Sequence, residues 1–309
     1  MNQKNILIYP HYHFDIGNGG MTVTYYLANQ LEKYGQTVRI HPCRGAVEND
    51  IFSKYYYDDF PIDDNCVVIY CEGVTGNPLN AKNVVRWMLS RLGQNVPYNM
   101  VEDWGKNELV YFFCSEKMIN DNPEKINTIY KFLPIIYNNP ILCVKEGTTH
   151  KNRCCHVTRK HNIHVNGYTP IHPPDSYHIA HTHTQIELVS IFNSHEMCIS
   201  YDPISFISMI AAMCGCISVV YPIDGMDELQ WMKLGATKEY IESKNINKYY
   251  GIAYGLENVE WAKSTIHLAK KQWEDIVEFN INKYLPKLIE DINQFDKNEN
   301  TIQNVYYNA

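Results

Sequence analysis

Met197–Pro222 reads MCISYDPISFISMIAAMCGCISVVYP, and its punctuation decides the fold class. A short apolar run, Met197–Tyr201, stops at Asp202-Pro203. An apolar stretch of helical length follows, ends at Gly215 and gives way to a second β-rich run, Cys216–Tyr221. Asp ahead of a helix accepts from its free N–H groups, Pro suits the first helical position, and Gly suits the residue past the last turn. The pattern predicts a βαβ unit with its helix over Ile204–Cys214. That helix is apolar on nearly every face, so it is expected to be buried on both sides. Its N-terminus is expected at the carboxyl end of a strand, where open α/β sheets hold ligands and free N–H groups attract phosphate. A phosphate-bearing ligand fits such a place.

The same alternation extends in both directions. Toward the N-terminus, NILIY (Asn5–Tyr9), TVRIH (Thr37–His41), a run ending in VVIYC (to Cys71), LVYFFC (Leu109–Cys114) and Ile141–Val144 read as strands. Helices are predicted from Gly20 to Tyr34, with Leu27, Leu31 and Tyr34 on one face, and over about ten residues from Asn80. The polar stretch Lys145–Lys151 marks a break. Beyond it come strands at Cys154–Thr158 and Ile163–Val165, a helix at Gln185–Asn193, and a helical tail from Glu257 to Phe295. Strands alternating with helices predict an α/β protein of two Rossmann-like, doubly wound parallel-sheet domains, 1–150 and 151–309, facing a cleft. The last helices have the option of packing back on the first domain.

Composition narrows the classes. The 309 residues suit two domains of roughly 150 residues each. A net charge of −7 argues against a nucleic-acid-binding surface, which needs clustered Lys and Arg. No window approaches the ~18 apolar residues of a membrane span. The opening MNQKNILIYP lacks a signal-peptide pattern, so the chain reads as cytoplasmic. Most of the ten cysteines fall inside predicted elements, and neither Cys154-Cys155 nor Cys214-x-Cys216 has a zinc spacing. They read as reduced core thiols. Nine of the thirteen histidines lie between His150 and His195 without an HExxH partner, and read as solvated or loop-packing side chains; no metal is expected.

Gly17-Asn18-Gly19-Gly20 follows the first strand. A dinucleotide fingerprint needs a third glycine where Thr22 stands and an acidic residue where the second strand ends in His41-Pro42. An NAD site is therefore excluded, although Gly19 and Gly20 still allow a backbone to approach a ligand. A tight turn without a ligand is the plain alternative.

With Gly19-Gly20 followed by YLANQLEKYGQTV (Tyr26–Val38), HVTRK carrying Arg159 and Lys160, and the Tyr201–Pro222 segment, the chain resembles the GT-B glycosyltransferases that use nucleotide-sugar donors. The resemblance implies that Arg159, Lys160 and the amides of Ile204 and Ser205 hold the donor diphosphate, with Tyr201 beside it and Asp202 a candidate catalytic residue that accepts hydrogen bonds from the sugar or diphosphate. In that family an acidic pair spaced by seven residues marks the donor site. Here Asp202 fills the first position and Ile210 the second, and the second acid of the family holds the donor ribose. A departing nucleoside diphosphate gathers negative charge, which a basic pair can stabilise without metal or cofactor. Solvated Arg159 and Lys160 and a plain capping Asp202 are the alternatives.

Tyr70–Leu92, YCEGVTGNPLNAKNVVRWMLSRL, supplies the acceptor side. Its GNPL..KNVVRW run is similar to segments of some bacterial and viral glycosyltransferases. Glu72 leaves a buried strand at its carboxyl end and is one candidate base; His13, with His11, is another. Asn77 and Lys82 are candidates for sugar or phosphate contact, with Lys82 and Arg86 four apart on the predicted helix. Asn77-Pro78 as a mere turn and Trp87 as core are the competing readings. Asp58-Asp59 and Asp63-Asp64 precede a strand and read as surface turns. The expected activity is transfer of a sugar to a glycan or lipid-linked acceptor, with room for peripheral membrane attachment and no nucleic-acid partner. A catalytically inactive nucleotide-sugar-binding protein on the same scaffold is the second reading; an epimerase or dehydrogenase fails with the missing fingerprint.

Overall fold

A computed structural model of the chain describes residues 3–14, 18–42, 52–56, 59–71, 73–90, 108–113, 130–148, 151–158, 169–180 and 182–295. They form two units, 1–137 with 279–309, and 138–278.

The first unit runs β1 (Asn5–Tyr9), α1 (Gly19–Lys33), β2 (Val38–Ile40), β3 (Cys66–Cys71), β4 (Asn83–Met88), β5 (Leu109–Phe112) and β6 (Tyr130–Phe132). All six strands are parallel, in the order β2-β1-β3-β4-β5-β6. Ile6, Ile8, Val67, Ile69, Val85 and Trp87 point to one face, where Leu27, Ala28 and Leu31 of α1 cover them. Leu7, Val68, Tyr70 and Val84 point to the other, covered by Met21, Val74, Leu79 and Ala81.

The second unit runs β7 (Lys151–Val157), β8 (Tyr177–Ile179), α2 (Gln185–Ser194), β9 (His195–Ser200), α3 (Ile207–Met213), β10 (Ile217–Val220), α4 (Glu228–Met232), α5 (Lys238–Lys244), β11 (Ile252–Tyr254) and α6 (Val259–Thr265). Its five strands are also all parallel, in the order β11-β10-β9-β7-β8. The long helix α7 (Ala269–Asn293) follows. From Phe279 onward its residues belong to the first unit, where Tyr284, Leu285, Leu288 and Ile292 join the core beside α1. Asp291 there accepts from Tyr111 of β5 and pairs with Lys131 of β6 at 2.6 Å. The two-domain, all-parallel α/β class read from the sequence is the class observed.

Four local expectations are corrected. Asn83–Met88, placed on a helix by the sequence, is a strand whose six residues are all buried. A strand buried on both faces loses the period-2 alternation, so its apolar run mimics a helical one. Ile141–Val144 is no strand: Leu142 N–H bonds Asn139 O at 3.1 Å and Cys143 N–H bonds Ile141 O at 3.0 Å, so Asn139-Pro140 turns the chain there. The helix after Asp202 starts at Ile207, not Ile204. Asp202-Pro203 instead forms a turn closed by Ser205 N–H to Asp202 O at 3.0 Å, with Pro suited to the second turn position. Asp202 is therefore not the cap; Phe206 stands there without a side-chain bond. Finally, Tyr177–Ile179 is an edge strand absent from the sequence reading, while the expected strand Ile163–Val165 lies outside the described residues.

Candidate functional site

Both sheets reverse direction once. In the first, β2 lies to one side of β1 and β3 to the other, so the connection changes sense between β1 and β3. In the second, β8 and β9 flank β7, and the change falls between β7 and β9. The diverging loops at such a switch point leave a crevice at the strands' carboxyl ends, where open α/β sheets place ligands.

In the second unit the two switch-point strands end at Val157 and Ser200, tied by Tyr201 N–H to Val157 O at 3.0 Å. Thr158 follows on one side and leads into Arg159 and Lys160, which lie outside the described residues. On the other side stand Tyr201, Asp202, Ile204 and Ser205. Asp202 is enclosed at 1 % exposure, with its N–H and C=O both on Ser200 Oγ, at 3.3 and 3.2 Å. Trp231 of α4 donates its indole N–H to Pro203 O at 2.6 Å and pins the turn. Ile204 is exposed, and Ser205 Oγ accepts from Ile207 N–H at 3.4 Å. Because Ser205 N–H already closes the turn, the expected diphosphate contact from that amide is corrected. Tyr201 is buried, and burial raises the pKa of its phenol above the ordinary value.

Ile210, at the position of the family's second acid, is buried in α3. Another carboxylate, Glu257, stands just past the carboxyl end of β11 on the same sheet. Gly255 between strand and carboxylate has φ +87°, and a Cβ there would fall on the Glu257 carboxylate. The positive φ favours glycine there, while the exposed Glu257 side chain is free to turn aside. Gly255-Leu256-Glu257 directly after an apolar IAY run was the available signal.

In the first unit His11 and Gly73, from the loops after β1 and β3, meet across the switch point. A Cβ on Gly73 would lie 2.5 Å from His11 Cγ, so the imidazole rests on bare backbone. His13 packs its ring against Tyr12 at 4.1 Å between centroids and a tilt of 39°, and its Nδ1 is buried without a hydrogen-bond partner. Glu72, the residue before Gly73, lies outside the described residues. Gly19 and Gly20 open α1 behind the Asn18 cap, which accepts Met21 N–H at 3.2 Å.

Two expected acceptor contacts are corrected. Asn77 spends its side chain on the loop: Oδ1 accepts from Tyr70 Oη at 2.8 Å and Ala81 N–H at 3.0 Å, while Nδ2 donates to Ala81 O at 2.8 Å. It is a turn residue. Lys82 precedes β4 and pairs with Asp64, which precedes β3, at 3.0 Å. Both stand at the amino ends of parallel strands, the edge opposite the switch point. Asp63 caps its own turn through Asn65 N–H at 2.9 Å, as a surface turn should. Among the described residues no three His, Cys, Asp or Glu side chains are grouped to hold a metal, and no helix is long and apolar enough to cross a membrane.

No protein-family model matches the chain, and no curated protein matches it. Solved structures do. The chain is similar to T4 phage BGT in complex with its UDP-glucose substrate, at 11 % identity and a TM-score of 0.46, over 96 % of this chain and 99 % of that one. It is similar to an alpha-glucosyltransferase in complex with UDP and a 13-mer DNA, at 11 % identity, TM-score 0.39, and 90 % and 100 % coverage. It is also similar to the glycosyltransferase SnogD from Streptomyces nogalater, at 10 % identity, TM-score 0.37, and 89 % and 96 % coverage. The neighbours are GT-B glycosyltransferases, the class the sequence resembles. At such identities and TM-scores the likeness extends to no residue role.

Proposed function

We propose that this chain is a nucleotide-sugar-dependent glycosyltransferase that needs no metal and transfers a sugar to a glycan or lipid-linked acceptor. One observation carries the reading. In both units described residues gather at the switch point: Thr158 after β7 beside Tyr201 and Asp202 after β9, and His11 after β1 against Gly73 after β3. In this reading Arg159 and Lys160 neutralise the leaving diphosphate, and Glu72 or His13 takes the acceptor proton. Glu257 takes over the ribose contact that buried Ile210 cannot make. Asp202 holds the turn rather than the donor.

The test is a thermal-shift screen of nucleoside diphosphates and their sugars in EDTA, with UDP and UDP-glucose as the first members. We expect some diphosphate to raise Tm by several degrees, since a ligand at about 100 times its Kd stabilises by about 2.7 kcal/mol. No shift with any member overturns the reading. Transfer is then assayed with glycan, lipid-linked and duplex DNA acceptors. The net charge of −7 favours the first two over DNA. A binding protein without turnover is the second reading, favoured by Ile210 and by the enclosure of Asp202; it predicts the same shift with no transfer.

Glu257→Ala is expected to raise the donor KM about tenfold with little change in kcat, the loss of roughly one charge-assisted hydrogen bond. An unchanged KM would remove Glu257 from the donor site.

A further inference from the structure

Three imidazoles that the proposed reaction leaves unused meet on one face of the second sheet. His156 of β7 is in register with His178 of β8. Its ring stacks on His172 at 3.8 Å and 5° between planes, and lies 5.0 Å from His178. His172 belongs to the segment that crosses this face before β8. Each ring has one hydroxyl partner: His156 Nδ1 with Ser176 Oγ at 3.0 Å, His178 Nε2 with Thr158 Oγ1 at 3.0 Å, and His172 Nδ1 with Tyr201 Oη at 2.8 Å.

Counting bonds at Tyr201 assigns the state of His172. The phenol oxygen already accepts the backbone N–H groups of Ile171 at 2.7 Å and His172 at 3.3 Å. Its remaining contact uses its own O–H, so His172 Nδ1 accepts and the imidazole is neutral. A protonated His172 has no lone pair for that O–H and presents a second donor to a saturated oxygen. It also sets a cation flat against His156. Among the described residues little offsets either charge. Tyr201 faces the cluster with its ring edge-on to His172, and Cys154 of β7 faces it as a thiol whose pKa burial raises. Asp175, in the crossing segment itself, is the carboxylate that acts on Cys154.

We infer that His156 and His172, stacked beside His178, form an acid-released latch, which holds the 171–176 segment on Tyr201 and the end of β7 at neutral pH and frees it on acidification. Burial, then the His172 and His178 rings, push the His156 pKa down to about 4. Burial, then His178, lower that of His172. An imidazole kept neutral when closed, but free to ionise when open, favours closure above the ordinary pKa of about 6.5. It loses that bias as pH falls toward the closed-state value.

Hydrogen exchange of the 169–176 backbone, corrected for the intrinsic pH dependence of exchange, tests the latch on the full chain. Between pH 7.5 and 5.5 opening is expected to become about tenfold more frequent from His156 alone. Segments in β9 and β10 should hold their protection. In His156→Gln/His172→Gln the segment should open equally at both pH values. Unchanged protection in the wild type, or a pH response that survives the double substitution, overturns the inference. Should the double variant not fold, the wild-type histidine ring resonances decide: a His172 ring titrating well below 6.5 in step with the 171–176 amides supports the latch, and one titrating near 6.5 with those amides unmoved removes it.

Discussion

Arg86→Ala is expected to destabilise the first unit by about 3–5 kcal/mol, because it leaves a largely buried carboxylate without its partner. Arg86 sits in β4 at 1 % exposure. Its Nε and Nη2 reach the two oxygens of Glu108, each at 3.0 Å. Nη1 and Nη2 also close the carbonyls of Val74 and Gly76 at 3.2 and 2.6 Å, and the guanidinium lies over the Tyr70 ring at 4.8 Å. One side chain thus satisfies an acid and two loop carbonyls. Arg86→Lys keeps the charge but not the planar fork, so most of the loss should persist. Arg86→Met with Glu108→Leu removes both charges together and should lose far less than Arg86→Ala alone. Urea unfolding of the three variants reads this order directly; equal losses for the single and double changes would mean that the ion pair is not what the site depends on.

Arg159→Ala/Lys160→Ala is expected to reduce kcat/KM for transfer by more than about 10³-fold, since removal of a single group that stabilises developing negative charge typically costs about 10²–10³. Urea unfolding of the double variant, run alongside, separates a lost contact from a lost fold: a role in the diphosphate site predicts a change within about 0.5 kcal/mol. Stabilisation by nucleoside diphosphate should vanish with the activity. Arg159→Lys should recover part of both, a point charge replacing a bidentate fork. Undiminished transfer in the double variant would place the diphosphate elsewhere. If the chain only binds, the double change removes the thermal shift and there is no turnover to lose.

The βαβ core of the second unit was legible because 197–222 changes period twice within a few residues and Gly215 marks the change. Its helix start was not, since Asp-Pro suits both a cap and a tight turn. Only the packing of Trp231 on Pro203 selects the turn. β4 was misread for a different reason. Lys82 and Arg86 are spaced as on a helix, but the strand is buried on both faces, and the buried Arg86 has its partner Glu108 at a sequence distance that no local pattern reports. Lys82 was placed on a helix by the same error, and stands just before β4. Asn77 was read both as a contact and as a turn, and its three hydrogen bonds select the turn. Glu257 escaped notice because a three-residue strand has no period to detect, and only the fold shows that this strand stands two places from the switch-point strand β9. His156, His172 and His178 read as loop-packing residues, and their partnership follows from strand register rather than from spacing.

The path of α7 constrains how the protein is made. Leu285, Leu288 and Ile292 are fully buried in the core that Ile6, Ile8 and Leu27 begin. The sheet that begins at Asn5 therefore waits for residues beyond Phe279 before its interior is sealed, while the second unit, contiguous from 138 to 278, is synthesised in between. Folding during synthesis runs against chain order here, and a nascent chain stalled before Phe279 would display an unfinished apolar sheet face for chaperones to guard.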